Sequence, residues 1–209
     1  GNTAKVWIDG KLVLDSNTQD EVRANGRRKR NKRQTDPVKI TLEGGKPLVE
    51  NRDEVGWTAA CFDYYAEIGR HSRGRVIPSI ERSQLSLVLK EPYGVVGCIV
   101  PWNYPLLLMA WKVAPALAAG NTVVLKPSSV TPLSTLMLAE VFDHLPAGTV
   151  NIVTGAGEAV GDALVTHPQA PVIAFTGSTA VGQRIASLAA PMMKKLHLEL
   201  GGKDAFLVA

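Results

Sequence analysis

Two cysteines in 209 residues give no disulfide framework. Cys61 and Cys98 both lie in apolar segments. They read as buried thiols in a reducing compartment rather than as ligands or nucleophiles. Long apolar runs are also missing. The longest are interrupted by Lys112, Pro115 and Asn121, so none reaches the length of a membrane span. There is no charged N-terminus followed by an apolar core, and therefore no visible secretory signal. Residue 1 is Gly, so an internal or trimmed start is equally consistent. Aromatics make up 6% of the chain, and none lies between Trp7 and Trp57. The basic run Arg27-Arg-Lys-Arg-Asn-Lys-Arg33 falls in that gap. A nuclear signal or nucleic-acid arm is one reading of it. Base recognition would need stacking or groove-reading groups nearby, so a solvated segment is the plainer reading and no nucleic-acid partner is expected. The run is also the source of the net charge of +4, since without its six positive residues the chain would carry −2. No metal site is expected. With 45% hydrophobic and 20% charged residues, the composition is that of a soluble globular protein, taken to be intracellular and cytoplasmic.

What is present becomes regular along the chain. Val6 to Leu14 reads as a hairpin about Asp9-Gly10, and the polar stretch after it has no periodicity. From Asn51 to Ile68, Val55, Ala59, Phe62, Tyr65 and Ile68 recur on one helical stripe. From Arg75 to Lys90 the residues alternate, with Leu85, Leu87 and Leu89 on one face, as in a β-ribbon that needs a partner surface. From Gly94 a strand recurs about every 25 residues with a helix between. The expected strands are Val95–Val100, Thr122–Leu125, Val150–Val153, Val172–Phe175 and Leu196–Leu200. The expected helices run over 105–119, 132–145, 158–165 and 179–190, and Ala205–Val208 begins something further. This period predicts an α/β fold with a doubly wound, mainly parallel, Rossmann-like sheet, right-handed crossovers and an extruded ribbon.

Several residues in this frame carry chemistry. The apolar run Val95–Val100 breaks at Pro101, and Asn103 follows between Trp102 and Tyr104, just before Pro105 opens a helix. A strand that stops on a polar side chain ahead of a helix is where open α/β sheets place ligands. A fixed amide N–H can stabilise a developing oxyanion; equally, Asn103 could cap the helix. Glu199 ends an apolar strand and could activate water as a general base, or simply pair with Lys203. Lys126, at another strand end, suits a ribose hydroxyl or phosphate, or is a surface lysine before a turn. Phe175-Thr-Gly-Ser178 ahead of a helix is a phosphate-binding arrangement, with backbone N–H groups and the Ser178 hydroxyl at the helix N-terminus. Gly155-Ala-Gly157-Glu-Ala-Val-Gly161 has one residue more than the common dinucleotide fingerprint and reads as a packing turn near the adenine. Tyr104 and Trp111, seven apart on one helix face, are either core residues or the wall of a substrate passage.

The segments Glu91 to Leu106, Val124-Leu-Lys-Pro-Ser128, Phe175 to Gly182 and Leu198-Glu-Leu-Gly-Gly-Lys203 together resemble the aldehyde dehydrogenase superfamily, over about residues 42 to 209. The resemblance implies an NAD(P)-dependent oxidation of an aldehyde to a carboxylic acid. It implies that Asn103 holds the oxygen of a thiohemiacetal and that Glu199 is the general base. It places NAD or NADP against Val100, Pro101, Trp102, Lys126, Ser128, Ser129, Gly157, Gly161, Phe175, Gly177, Ser178, Val181, Leu200 and Gly201. It makes Tyr104, Leu108 and Trp111 an aldehyde tunnel; in betaine-aldehyde and aminoaldehyde members, aromatics at such places cage a cationic substrate. Many NAD-preferring members carry Glu where this chain has Ser129, which opens the site to NADP.

The same resemblance divides the chain into a short divergent segment at 1–41, a helical part at 42–70, an oligomerisation-type ribbon at 71–91 and a dinucleotide-binding domain at 92–209. Residues 15–41 stand where the family has a longer helical segment. A homo-oligomer through residues 75–90 is expected. The family's nucleophilic cysteine lies further beyond the general base than the ten residues that follow Glu199, and Cys98 lies inside a strand. A catalytic domain is therefore absent from these residues, and the chain is expected to be inactive alone, with an aldehyde bound only if it is completed. The alternatives are a non-catalytic nucleotide-binding or assembly module and a degraded copy.

Overall fold

A computed structural model of the chain describes residues 5–8, 11–15, 21–22, 28–29, 37–71 and 73–208. Two antiparallel pairs come first. β1 (Lys5–Ile8) pairs with β2 (Lys11–Asp15), as the hairpin reading requires, with a register shift between Val6 and Trp7. The Asp9-Gly10 turn lies outside the described residues. β3 (Glu21–Val22) pairs with β4 (Arg28–Lys29), and the rest of the basic run is likewise outside them. α1 (Pro37–Gly44) was not anticipated from the sequence. α2 (Leu48–Ile68) begins three residues before the expected start. β5 (Arg75–Ile77) and β6 (Ser86–Val88) form the antiparallel ribbon, on which Leu85, Leu87 and Leu89 are all exposed.

The sheet is built from β7 (Val95–Ile99), β8 (Thr122–Lys126), β9 (Val150–Ile152), β10 (Val172–Thr176) and β11 (Lys195–Glu199). All pairs are parallel, in the order β11-β10-β7-β8-β9. The chain winds outward from β7 through β8 to β9, then returns to the other side of β7 to lay down β10 and β11. This doubly wound order has its switch point between β7 and β10, where a crevice opens at the strands' carboxyl ends.

The alternation of strand side chains produces two cores. Val96, Cys98, Val123, Leu125 and Ala174 face one side, against α3 (Pro105–Ala118), which in turn packs on α2. Ile173 and Phe175 face the other side, against α5 (Asp162–Val165) and α6 (Thr179–Ala189). Gly97 makes that second contact possible: a Cβ there would come within 2.8 Å of Ile173 and 3.0 Å of Leu164. The helical stripe on α2 is real at Val55, Ala59 and Phe62, which are buried, and fades at Ile68, which is exposed.

Three expected elements differ. The helix expected over 132–145 is α4 (Pro132–Met137) followed by a 3₁₀ turn at Ala139–Phe142, although Leu138, Val141, Phe142 and Leu145 keep the helical spacing on which the expectation rested. The helix expected over 158–165 opens as a wide π turn, Gly157–Gly161, before α5. Ala205–Val208 forms no regular element and is exposed.

Met109 and Leu87 test where the stability resides. Met109→Ala removes a fully buried side chain from the α3 core and should cost about 2–5 kcal/mol in urea denaturation. Leu87→Ala on the ribbon, half exposed at 50%, should change the isolated chain by less than about 0.5 kcal/mol.

Candidate active site

The site lies at the carboxyl ends of β7, β8, β10 and β11. β7 continues into Val100, which is buried and donates its N–H to the Lys126 carbonyl at 3.2 Å. Pro101 is half-buried, and Trp102 and Asn103 are exposed. Pro105 occupies the first helical position of α3, and the N-cap residue, Tyr104, makes no side-chain cap bond. Asn103 does not cap the helix either. The partner is Glu54, a fully buried carboxylate on α2, whose Oε1 accepts from Leu106 N–H at 2.8 Å and Leu107 N–H at 3.2 Å. Its Oε2 lies 2.5 Å from Lys46 Nζ, and Lys46 Nζ sits 3.5 Å from the centre of the Tyr104 ring. α4 repeats the device: Leu133 N–H, Ser134 N–H and the Ser134 hydroxyl all donate to the Glu43 carboxylate of α1.

A cleft of about 900 Å³ opens beside Tyr104. α3 contributes Tyr104, Leu107, Leu108, Trp111 and Lys112 to its wall. α2 contributes Trp57, Cys61, Tyr64 and Tyr65, and β11 contributes His197 and Glu199. Tyr104, Leu108, Trp111 and Glu199, far apart in sequence, therefore share one cavity. Trp111 remains 55% exposed, which places it on a wall rather than in the core. Asn103 stands beside Tyr104 without lining the cleft. Glu199 does not pair with Lys203; its Oε1 is 3.6 Å from His197 Nε2. Lys112 is the unforeseen residue. It is 5% exposed and donates to Thr176 Oγ1 at 2.5 Å. Burial lowers its pKa, an effect opposed by the nearby Cys98 and Glu199.

On the other side of the sheet ends, Lys126 is buried with one bond, from Nζ to the Pro127 carbonyl at 3.2 Å, and burial lowers its pKa. Gly161 lies along its stem, since a Cβ there would be 3.8 Å from the lysine Cδ and Cε. Ser128 Oγ accepts from Val130 N–H at 3.2 Å, and Ser129 is exposed at the turn. Gly177 N–H donates to the Glu199 carbonyl at 3.0 Å. A Cβ on Gly177 would come within 2.4 Å of the buried Phe175 ring, and one on Gly182 within 2.4 Å of Leu200. The phosphate-type loop, α6 and the segment at Leu200-Gly201 are thus packed together. Ser178 is the N-cap of α6, its Oγ accepting from Val181 N–H at 3.4 Å. Gly157, at the start of the π turn, is exposed. A buried ammonium with a single bond and a hydroxyl at a helix N-terminus fit an anionic, ribose-bearing cofactor.

Burial shifts both thiols away from the thiolate form. Cys98 is completely buried, and burial pushes its pKa up to about 12. Cys61 is half-buried and pushed by burial to about 11. Among the described residues no group of three His, Cys, Asp or Glu could hold a metal ion. No helix among them is long and apolar enough to cross a membrane.

The missed residues left faint signals. Asn51, Glu54 and Thr58 lie on the same stripe as Val55, Ala59 and Phe62 and are fully buried with them. Polar residues at core-facing spacing were the sign of buried hydrogen bonding. Lys112, a lone charge in the apolar run of α3, was visible as an interruption and not as a site.

The doubly wound parallel sheet, with the candidate site at the strands' carboxyl ends, defines an α/β domain of Rossmann-like order. The chain belongs to the aldehyde dehydrogenase family, whose model matches residues 30–209. It is 50% identical over 171 residues to a mitochondrial succinate-semialdehyde dehydrogenase of Arabidopsis thaliana, covering 81% of this chain and 32% of that protein. It is 48% identical over 178 residues to betaine aldehyde dehydrogenase 1 of Oryza sativa subsp. japonica, covering 80% and 34%. Among solved structures it matches an NADP-dependent enzyme of E. coli at 42% identity and TM-score 0.78, covering 80% of this chain and 36% of that one. It matches a betaine aldehyde dehydrogenase variant of Staphylococcus aureus in complex with NAD+ at 40% identity and TM-score 0.78, covering 79% and 34%. The chain spans about a third of the length of the curated relatives it matches.

Two outcomes follow from the buried groups. At pH 8 a thiol of pKa about 12 is thiolate at about one part in ten thousand. Iodoacetamide should therefore leave Cys98 unmodified in the folded chain, mark Cys61 slowly, and modify both in urea, as read by peptide mass. For Lys112 the folded pKa lies below the unfolded one, so the charged form opposes folding below that folded pKa. The cost vanishes as pH rises toward the ordinary value of 10.5. Lys112→Met should raise the urea midpoint at pH 7, with a gain that shrinks as pH approaches that value.

Proposed function

We infer that this chain is the cofactor-binding portion of an NAD(P)-dependent aldehyde dehydrogenase that converts an aldehyde to a carboxylic acid. The observation that carries this reading is the shared cleft. Tyr104, Leu108 and Trp111 line it together with Glu199, at the same end of the sheet as buried Lys126 and the Ser178 helix start. When bound, the nicotinamide cofactor supplies a hydride acceptor. Lys126, Ser178 and the glycines at 161 and 177 would hold its ribose and phosphate groups. Val100, Pro101 and Trp102 would flank it at the switch-point crevice. The Asn103 side-chain N–H would donate to the oxygen of the reacting carbonyl as negative charge builds there. Glu199 would take a proton from the water that releases the acid. The aromatic walls of the cleft would exclude bulk water and orient the aldehyde.

The covalent step of this chemistry needs a thiolate; Cys98 is sealed inside β7, and burial raises the pKa of Cys61, which lines the cleft, to about 11. This chain alone is therefore expected to produce no steady NAD(P)H from any aldehyde. A second reading, an assembly module acting through residues 75–90, draws on the exposed leucines of the ribbon, whose contiguous apolar face matches that of a subunit contact.

The cofactor choice is testable at Ser129. A carboxylate at this turn would repel a 2′-phosphate, at about 1–3 kcal/mol. Ser129→Glu should weaken NADP binding by roughly tenfold or more and leave NAD unchanged or tighter in paired calorimetric titrations. An equal loss for both cofactors would remove position 129 from the ribose. A parent chain that binds neither at millimolar concentration would favour the degraded-copy reading.

A further inference from the structure

Asn103 is exposed and its side chain has no hydrogen bond to any described residue. An amide that is to meet a developing charge has to be held in place before that charge forms. On its N-terminal side the chain is tied by Val100 N–H to the Lys126 carbonyl. On its C-terminal side everything depends on the first turn of α3. That turn has no acidic residue of its own and no side-chain cap from its N-cap residue. Both of its anchors come from upstream. Glu54 Oε1 takes the Leu106 and Leu107 N–H groups, three and four residues after Asn103. Glu54 Oε2 holds Lys46 Nζ, which lies on the ring of Tyr104, the residue next to Asn103. One buried carboxylate thereby fixes the backbone just after Asn103 and, through a lysine, the side chain beside it.

We propose that Glu54, acting with Lys46, is the positioning residue for Asn103. The catalytic meaning rests on the reading of Asn103 as the oxyanion donor; the geometric claim does not. Glu54 touches neither substrate nor cofactor. Its carboxylate closes the helix start, where a negative charge is favoured by the helix dipole. Removing it strands two buried N–H groups and leaves the largely buried Lys46 without its counter-ion. The first turn then frays, the Tyr104 ring loses its cation, and Asn103 moves. A misplacement of about 1 Å is sufficient to cost on the order of a hundredfold in rate where orientation governs the chemistry.

The test uses the full 209-residue chain, labelled with ¹⁵N, with the Asn103 side-chain amide pair assigned by its loss in Asn103→Asp. Glu54→Ala is expected to speed exchange of the Leu106 and Leu107 amides by about a hundredfold or more and to shift or broaden the Asn103 pair. Glu54→Gln keeps an acceptor oxygen, so it should restore most of the exchange protection. Lys46→Met should preserve that protection and still move the Asn103 pair, an effect that a plain helix cap would not produce. If Glu54→Ala does not fold, Glu54→Gln and Lys46→Met decide the matter. An Asn103 pair unchanged in Lys46→Met and in every folded Glu54 variant overturns the proposal and leaves Glu54 a structural cap. Butyrate, a small carboxylate standing in for the acid product, separates the two readings in the same samples. An Asn103 pair that depends on Glu54 and Lys46 retains the positioning role whether or not it responds to millimolar butyrate. A pair that responds to butyrate but not to either substitution keeps a ligand contact at Asn103 and overturns the positioning role.

Discussion

The Glu54 carboxylate joins the two halves of this structure. Placing an unpaired carboxylate in a protein interior is prohibitively costly, so its burial demands partners, and the fold supplies an ammonium and two helix-end amides. Those partners come from two places on either side of Glu54: Lys46 between α1 and α2, and the start of α3, some fifty residues later. The register of α2 against α3 is then not free to slide, because apolar packing alone tolerates shifts that a doubly occupied carboxylate does not. Glu43 does the same for α4 with a carboxylate from α1. The helical layer is pinned by charge at the points where the strands hand over to their helices, and those handover points are where the site residues stand.

The interior of the site is arranged around a second buried charge of opposite sign. Lys112 projects from the middle of α3 to Thr176 at the end of β10, between the neutral thiol of Cys98 and the carboxylate of Glu199. It ties α3, which borders the cleft, to the strand that leads into Gly177 and Ser178. Core positions with this little exposure are normally apolar, and a lysine there is a stability cost retained at a cavity, as at many functional sites. Its bond spans the switch point, so α3 and the loop at Gly177-Ser178 are mechanically continuous.

The β/α period was legible because alternation and helix punctuation are local properties. Val95 to Ile99 and Val172 to Thr176 are apolar runs bounded by Gly and Pro, and all five strands fall within about a residue of their expected ends. Tyr104, Trp111 and Glu199 were legible as candidates because each sits at a strand end or on a helix face next to one. The caps were not legible. Glu54 and Leu106 are 52 residues apart, and no local pattern announces which carboxylate closes which helix. α4 and α5 were read as longer helices because propensity near Leu138 and Glu158 favours a helix, whereas the structure has a 3₁₀ turn and a π turn there. The aromatic wall from α2 was missed for a related reason. Trp57 and Tyr64 lie off the buried stripe that carries Tyr65, and only the placement of β11 turns that exposed face into the side of a cavity.

The strand order has a consequence for how the chain acquires its shape. β7 meets β8 after a short crossover, with Val95 opposite Thr122, but it meets β10 only across a long span, with Val96 opposite Val172. Closing the longer loop costs more chain entropy, and distant pairings form more slowly than near ones. The β7-β8-β9 half can therefore assemble as a folding unit while β10 and β11 are still being delivered to its open edge. The crevice at the switch point is the seam between an early and a late half. A nascent chain would carry that edge of β7 unpaired until residue 172 and beyond had left the ribosome, which makes the switch point also the place where misassembly with another chain is easiest.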